Sequence, residues 1–271
     1  MPLRVLMIGD VVGRSGLDAV AARLPALRRA SGAGFVIANG ENASGGFGLD
    51  RESLAILADS GVDVVSSGNH VWQKRELFDI PRESLPIPFL RPANYPEGSP
   101  GRGSIIAEAG GFGLIVLNLQ GRRALHPIDC PFRAAEAAAS LAAERGLALV
   151  VDFHAETNDE KQAMAWHLRG KAAALAGTHT HVQTADLRVL PGGLGYVSDL
   201  GMTGPAASCI GVPPELAIRR ARTGIPLKME AATGQANVSG VCFELDGDPA
   251  RCVAAAYVDA SGEGLEWVAL A

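Results

Sequence analysis

Short apolar runs alternating with helically spaced apolar residues fill the first 65 positions, and few folds accept that pattern. Residues 3–8 form an apolar run. Leu17, Val20, Ala21, Leu24 and Leu27 then recur at helical spacing, and residues 35–38 form a second run. A helix over about 51–60 leads to a third run at 62–65. Runs without polar alternation are strands buried on both faces. Strand–helix–strand alternation at this spacing implies parallel pairing through right-handed crossovers. In open α/β sheets ligands bind beyond the carboxyl ends of the strands. Asp10, Glu41, Asn42, Asn69 and His70 all fall there.

The remaining chain extends the pattern. A proline-rich stretch, 80–100, reads as an irregular surface connection, and 103–109 with 112–118 as a hairpin around Gly110-Gly111. The loop 121–133 holds His126, Asp129 and Cys130. An alanine-rich helix over about 134–145 precedes a buried strand at 147–152, which delivers Phe153-His154-Ala155-Glu156. A helix at 159–168 and an apolar run at 172–176 lead to Gly177-Thr178-His179-Thr180-His181. If strand geometry persists through Thr180, both imidazoles point the same way, because residues two apart share a face.

After His181 come short strands at 187–190 and 194–197, a loop at 201–214, a basic helix at 215–222 and a short strand at 227–231. Antiparallel strands at 238–245 and 252–258 close the chain around a turn at 246–248. The expected architecture is one α/β domain over 1–271 with two packed sheets, and a small cap at about 202–236.

Composition narrows the partners. With 48% apolar and 20% charged residues, the 271-residue chain can bury a sizeable core. A net charge of −5 offers no general attraction for nucleic acid or anionic membrane, so stable nucleic-acid binding is not expected. The N-terminus runs straight into an apolar strand, so no signal peptide is expected, and no stretch reads as a membrane span. Cys130, Cys209, Cys242 and Cys252 lack Cys-x-x-Cys spacing and read as reduced, mostly buried thiols; the expected location is cytoplasmic.

Five strand ends thus present Asp10; Glu41 with Asn42; Asn69 with His70; His154; and His179 with His181. Carboxylate oxygen, amide oxygen and neutral imidazole all suit divalent Mn, Fe or Zn, and no thiolate competes. Seven or eight donors exceed one ion's needs but suit two ions sharing a bridging carboxylate, spaced roughly 3.5–4 Å apart in hydrolytic sites. Two divalent ions against Asp10, Glu41 and a hydroxide leave residual positive charge, which favours a phosphodiester and its transition state. Taken singly, Asp10 also suits a helix N-cap, Asn42 a loop-shaping role and His70 a packed histidine beside Trp72. His126 and His167 read as ordinary histidines; Arg14, Arg91 and Arg133 suit either phosphate contact or solvated ion pairs. Residues 9–16 lack the lysine of a P-loop, His154-Ala155-Glu156 has no Pro-Cys-x-x-Cys after it, and no Gly-x-Ser-x-Gly elbow occurs.

The motifs Gly9-Asp10, Gly40-Glu41-Asn42, Gly68-Asn69-His70, His154 and Gly177-Thr-His-Thr-His181 resemble the calcineurin-like metallophosphoesterases in order and spacing. More narrowly, Gly9-Asp-Val-Val-Gly-Arg, Asn39-Gly-Glu-Asn, Arg91-Pro-Ala-Asn-Tyr-Pro96, Asp129-Cys-Pro-Phe-Arg133, Val151-Asp-Phe-His-Ala-Glu156 and Gly201-Met-Thr-Gly-Pro205 look like the bacterial YmdB-like branch. The resemblance implies a four-layer α/β/β/α sandwich with two mixed sheets, a di-iron or di-manganese centre and hydrolysis of 2′,3′-cyclic nucleotides; zinc also fits the donors. It implies one ion on Asp10, Glu41, Asn42 and His181, the other on Glu41 (bridging), Asn69, His154 and His179, with His70 as general acid. A homo-oligomer is expected by the same analogy. Where the wider superfamily has Asp-x-His, this chain has Asp10-Val11-Val12, and Glu41 stands where Asp is usual. Rival expectations are a phosphomonoesterase or nuclease on the same centre, or a regulatory nucleotide-binding protein with incidental hydrolysis.

Overall fold

The computed structural model describes residues 1–79, 81–247, 249–258 and 264–268. The first part of the chain runs β1 (Leu3–Ile8), β2 (Asp10–Val11), α1 (Gly13–Ser31), β3 (Phe35–Asn39), α2 (Arg51–Asp59) and β4 (Val64–Ser66). Next come β5 (Ser104–Ala109), β6 (Phe112–Gln120), α3 (Pro131–Arg145), β7 (Ala148–His154), α4 (Asn158–Leu168), β8 (Ala174–Thr178), β9 (Arg188–Leu190) and β10 (Leu194–Val197). The last part holds β11 (Met202–Pro205), α5 (Pro214–Thr223), β12 (Ala236–Asn237), β13 (Gly240–Asp246), β14 (Arg251–Val258) and β15 (Leu265–Trp267).

Two mixed sheets result, ordered β15-β14-β13-β1-β3-β4 and β5-β6-β7-β8-β10-β9, with a small third sheet, β12-β11-β2. Alternation along the central strands sorts their side chains into three apolar layers. Leu6, Ile8, Val36 and Ala38 pack against Leu17, Val20, Leu24 and Leu54 of α1 and α2. Val5, Met7, Phe35 and Ile37 meet Leu114, Val116, Val150 and Ala176 between the sheets. Ile115, Leu117, Leu149 and Val151 pack against Ala135, Ala139, Met164 and Leu168 of α3 and α4. Helices, sheet, sheet and helices are therefore stacked as the expected α/β/β/α sandwich. Among the described residues no helix is long and apolar enough to cross a membrane.

Several expectations need correction. The 201–214 segment is not all loop: β11 pairs in parallel with β2, Met202 opposite Asp10 and Thr203 opposite Val11. Strands of two to four residues are too short to show a period. No strand forms at 227–231; that stretch joins no sheet, and Met229, Glu230 and Ala231 instead line a cleft. Helix α3 begins at Pro131 rather than 134, since proline suits the first helical position. All four cysteines are free, but only Cys242 and Cys252 are buried; Cys209 is exposed. Of the expected 80–100 connection and 246–248 turn, residues 80 and 248 lie outside the described residues.

Two glycines allow the sheets to close at the site end. A Cβ on Gly9 would lie 2.0 Å from the Gly201 carbonyl oxygen, and one on Gly68 would lie 2.1 Å from the His154 ring. Any other side chain there would push apart the strands that carry the strand-end donors.

Asp50 caps α2, its Oδ1 accepting from the Ser53 amide at 2.8 Å, and its Oδ2 accepts from the Ser44 hydroxyl. Partial burial pushes the Asp50 carboxyl up, but the hydrogen bonds from Ser44 and Ser53 outweigh it and hold the pKa below the usual value. A depressed carboxylate contributes stability above its unfolded pKa and loses it as pH falls through the folded value. Asp50→Ala is therefore expected to cost about 1 kcal/mol at neutral pH. The gap from the parent protein should narrow once pH drops below about 4, the unfolded aspartate range. Urea denaturation at two pH values checks both statements.

Candidate metal centre

Asp10 follows β1, Glu41 and Asn42 follow β3, Asn69 and His70 follow β4, His154 ends β7, and His179 and His181 follow β8. Every one of these strands runs parallel to its sequence neighbour in the sheet, so their carboxyl ends share one edge of the sandwich. There the structure brings the donors together. His154 Nε2 lies 3.0 Å from Glu41 Oε1, 3.0 Å from Asn69 Oδ1 and 3.0 Å from His179 Nδ1. Asp10 Oδ2 accepts from the His179 amide at 3.0 Å, and Oδ1 stands 3.8 Å from His154 Nδ1. His181 Nε2 lies 3.4 Å from Asn42 Oδ1. Glu41, His154 and His179 alone form a mutually close carboxylate–imidazole cluster among the described residues.

The partners of the outward-facing atoms assign the inward-facing ones. Thr178 donates its hydroxyl proton to Asp152 Oδ1 at 2.8 Å, so it accepts from His154 Nδ1 at 2.9 Å. Glu156 Oε2 accepts from His179 Nε2 at 2.9 Å, and the Ile210 carbonyl accepts from His181 Nδ1 at 2.8 Å. The Asn42 amide donates to the Gly46 carbonyl at 2.9 Å, turning its oxygen inward. Each imidazole thus directs its proton outward and aims a lone pair at the centre, as ligating histidines do.

Burial drives the electrostatics. It raises the carboxyl pKa values of both Asp10 and Glu41, neighbouring histidines opposing. It pushes His154 down to about 4 and His179 to about 4, the second reinforced by His154. His70 is also lowered by burial, with Glu41 opposing. His154 and His179 are thereby held neutral, the form that binds metal. Asp10 Oδ1 and Glu41 Oε1 are buried without hydrogen-bond partners. Buried carboxylate and imidazole atoms converging at 3.0 Å fit a cation held between them. Hard oxygen and borderline nitrogen donors without sulfur fit Mn, Fe or Zn.

The two histidines of the 179–181 segment reach the centre by a route other than the expected one. Strand β8 stops at Thr178, and His179 and His181 adopt φ of 103° and 64°. Positive φ in non-glycine residues costs on the order of 1–3 kcal/mol each and must be held by its surroundings. Asp199 does the holding: Oδ2 accepts from the Thr180 amide at 3.1 Å, the Thr180 hydroxyl at 2.8 Å and Lys161 Nζ at 2.7 Å. Its Oδ1 accepts from the Gly201 amide at 2.8 Å. Lys161 and Asp199 are both fully buried. Beneath the centre, Asp152 takes hydrogen bonds from Asn39, Ser66 and Thr178, although burial raises its pKa to about 7.

A cleft of about 310 Å³ opens over the cluster, lined on one side by His70, His179 and His181 and elsewhere by Phe47, Ile210 and Arg220. The His70 amide donates to Glu41 Oε2 at 3.1 Å, while its Nδ1 is buried without a partner. A larger groove of about 580 Å³ shares only His181 and Ile210 with this cleft and touches no other donor of the centre. None of the arginines singled out in the sequence, Arg14, Arg91 and Arg133, lines the cleft. Arg14 pairs with Asp18 at 2.8 Å, Arg91 donates to the Pro92 and Pro100 carbonyls, and the cleft arginine is Arg220. His167 packs edge-on against Phe132, and His126 does not line the cleft. Asp152 and Thr178 were findable from strand alternation, since they share the inward face with His154; Lys161 and Arg220 carry no such signal.

Comparison with known proteins gives a consistent picture. Residues 6–258 match the family model described as YmdB-like protein. The chain is 44% identical over 251 residues to the 2′,3′-cyclic-nucleotide 2′-phosphodiesterase of Bacillus subtilis (strain 168), covering 93% of this chain and 94% of that one. A crystal structure of a hypothetical protein from Thermus thermophilus superposes with TM-score 0.85 at 42% identity, covering 94% and 98% of the two chains. That of a novel phosphatase from Mycoplasma pneumoniae gives 0.87 at 31% identity over 95% and 93%.

Thr178→Val keeps the shape but removes the hydroxyl that links His154 to Asp152. It is expected to weaken Mn binding about 10- to 100-fold, with Thr178→Ser close to the parent, by equilibrium dialysis. Mn should also raise the melting temperature of the parent protein, because a ligand of the native state stabilises it; no shift would count against a cation at this centre. Lys161→Met strands a buried Asp199 and should cost about 3–5 kcal/mol in urea denaturation.

Proposed function

Because the chain belongs to the family of YmdB-like proteins, we propose that it is a metal-dependent phosphodiesterase that opens 2′,3′-cyclic nucleotides to 3′-nucleotides on a two-ion centre. The observation that carries the chemistry is the convergence of Glu41, Asn69 and His179 donor atoms at 3.0 Å around His154 Nε2. The substrate class is supported by the 44% identity to the B. subtilis enzyme.

Asp10, Glu41, Asn42 and His181 would hold one ion; Glu41, Asn69, His154 and His179 would hold the other. Bound divalent ions supply Lewis acidity toward the phosphoryl oxygens and an acidified water near neutral pH. The rest belongs to this chain's own residues. His70, fixed through its amide to Glu41, lines the cleft with one ring nitrogen lacking a partner. Water adds to phosphorus in line with the 2′ oxygen, the P–O2′ bond breaks, and His70 donates the proton that the departing oxygen needs. Burial favours neutral His70, whereas an anionic phosphodiester arriving beside it favours the protonated donor. That Ile210, Arg220 and Met229 line the cleft supports reading the 202–236 segment as a small cap over it.

A phosphomonoesterase is the second reading, favoured by the relative described as a phosphatase. Assays separate the two: Mn-loaded protein should convert 2′,3′-cyclic AMP to 3′-AMP and leave 3′-AMP intact. Asp10→Ala and His70→Ala should each lower kcat at least about 100-fold. Unchanged turnover in both would overturn the assignment, and release of inorganic phosphate from 3′-AMP would favour the second reading.

A further inference from the structure

Phe47 lies in the 43–48 loop, half-buried, and belongs to none of the three apolar layers. Its ring partner among the described residues is His70, edge to face with centroids 5.0 Å apart. The loop that presents it is conformationally costly. Gly45, Gly46 and Gly48 take φ of 65°, 99° and 77°, and the Asn42 and Asp50 side chains latch its backbone and Ser44. The same cleft is lined by Ile210, Val212 and Met229, which also stand outside every layer. Ile210 is 58% exposed and has φ 47°, an outlier for a β-branched residue. Four apolar side chains beside His70, claimed by no core, offer apolar surface to a molecule that enters the cleft.

The entrant has a definable chemistry. It carries a phosphodiester toward the donor cluster, so the cleft receives the remainder of the molecule. At about 310 Å³ the space sits at the small end of ligand pockets and suits one mononucleotide. An aromatic wall favours a flat π surface, while Arg220 and Glu230 in the same lining would be left facing hydrocarbon by an acyl chain. A nucleobase satisfies both, with a face for stacking and a polar edge for the charged rim.

We propose that Phe47, with Ile210, Val212 and Met229, forms a nucleobase subsite, so that the protein selects nucleoside phosphates over the same sugar phosphate without a base. The proposal rests on the hydrolase reading above and deepens it. The test is calorimetric binding of adenosine 3′-monophosphate and of methyl riboside 3′-phosphate to the Mn-loaded parent, Phe47→Ala and Phe47→Tyr. The parent should prefer the adenosine ligand, Phe47→Ala should weaken its binding about 5- to 100-fold and abolish the preference, and Phe47→Tyr should retain it. No preference in the parent, or a preference that survives Phe47→Ala because both ligands weaken equally, overturns the subsite. Hydrolysis of 2′,3′-cyclic AMP is scored separately: a preference without turnover supports the subsite and removes the hydrolase reading instead.

Discussion

At the edge of the sandwich, three imidazoles are made to give their protons away from one another. Thr178 with Asp152, Glu156, and the Ile210 carbonyl each take a ring N–H, and what remains is a ring of lone pairs in a buried space. Such an arrangement is repulsive on its own and persists only because the surrounding acceptors over-determine it. Much of the polar structure in the core follows from that need. Asn39, Ser66 and Asp152 form a hydrogen-bonded knot between the two sheets, behind His154.

The same logic explains the buried ion pair. A Lys161–Asp199 contact with both partners fully enclosed contributes little net stability, since desolvation offsets most of the attraction. Its role is geometric. Lys161 anchors Asp199, which grips both the amide and the hydroxyl of Thr180, the residue between two histidines in left-handed backbone. The fold accepts strain at His179 and His181 and offsets it one residue away from each.

Legibility from sequence followed element length and locality. Strands β1 and β3, the β5–β6 hairpin and β7 carry four or more apolar residues in register, so their periods and their strand-end donors are readable directly. β2, β11 and β12 are not, because two to four residues carry no period, and the β2–β11 pairing joins Asp10 to Met202 across most of the chain. An expected strand at 227–231 fails for the converse reason: suitable residues, but no sheet edge to receive them. His179 and His181 reach the centre through left-handed backbone rather than strand alternation, which ends at Thr178. Lys161 looks in sequence like one more charge on a polar helix; its burial depends on Asp199, 38 residues later in the chain.

The division of donors between the two sheets has a mechanical consequence. The candidate oxygen donors Asp10, Glu41, Asn42 and Asn69 all trail strands of the β1-containing sheet, whereas His154, His179 and His181 all trail strands of the other. The layer between those sheets is mainly interdigitated hydrocarbon, which resists separation better than it resists slip. A cation gripped by both donor types would act as a rivet through that seam, converting two sliding plates into one rigid body at the point where chemistry demands it.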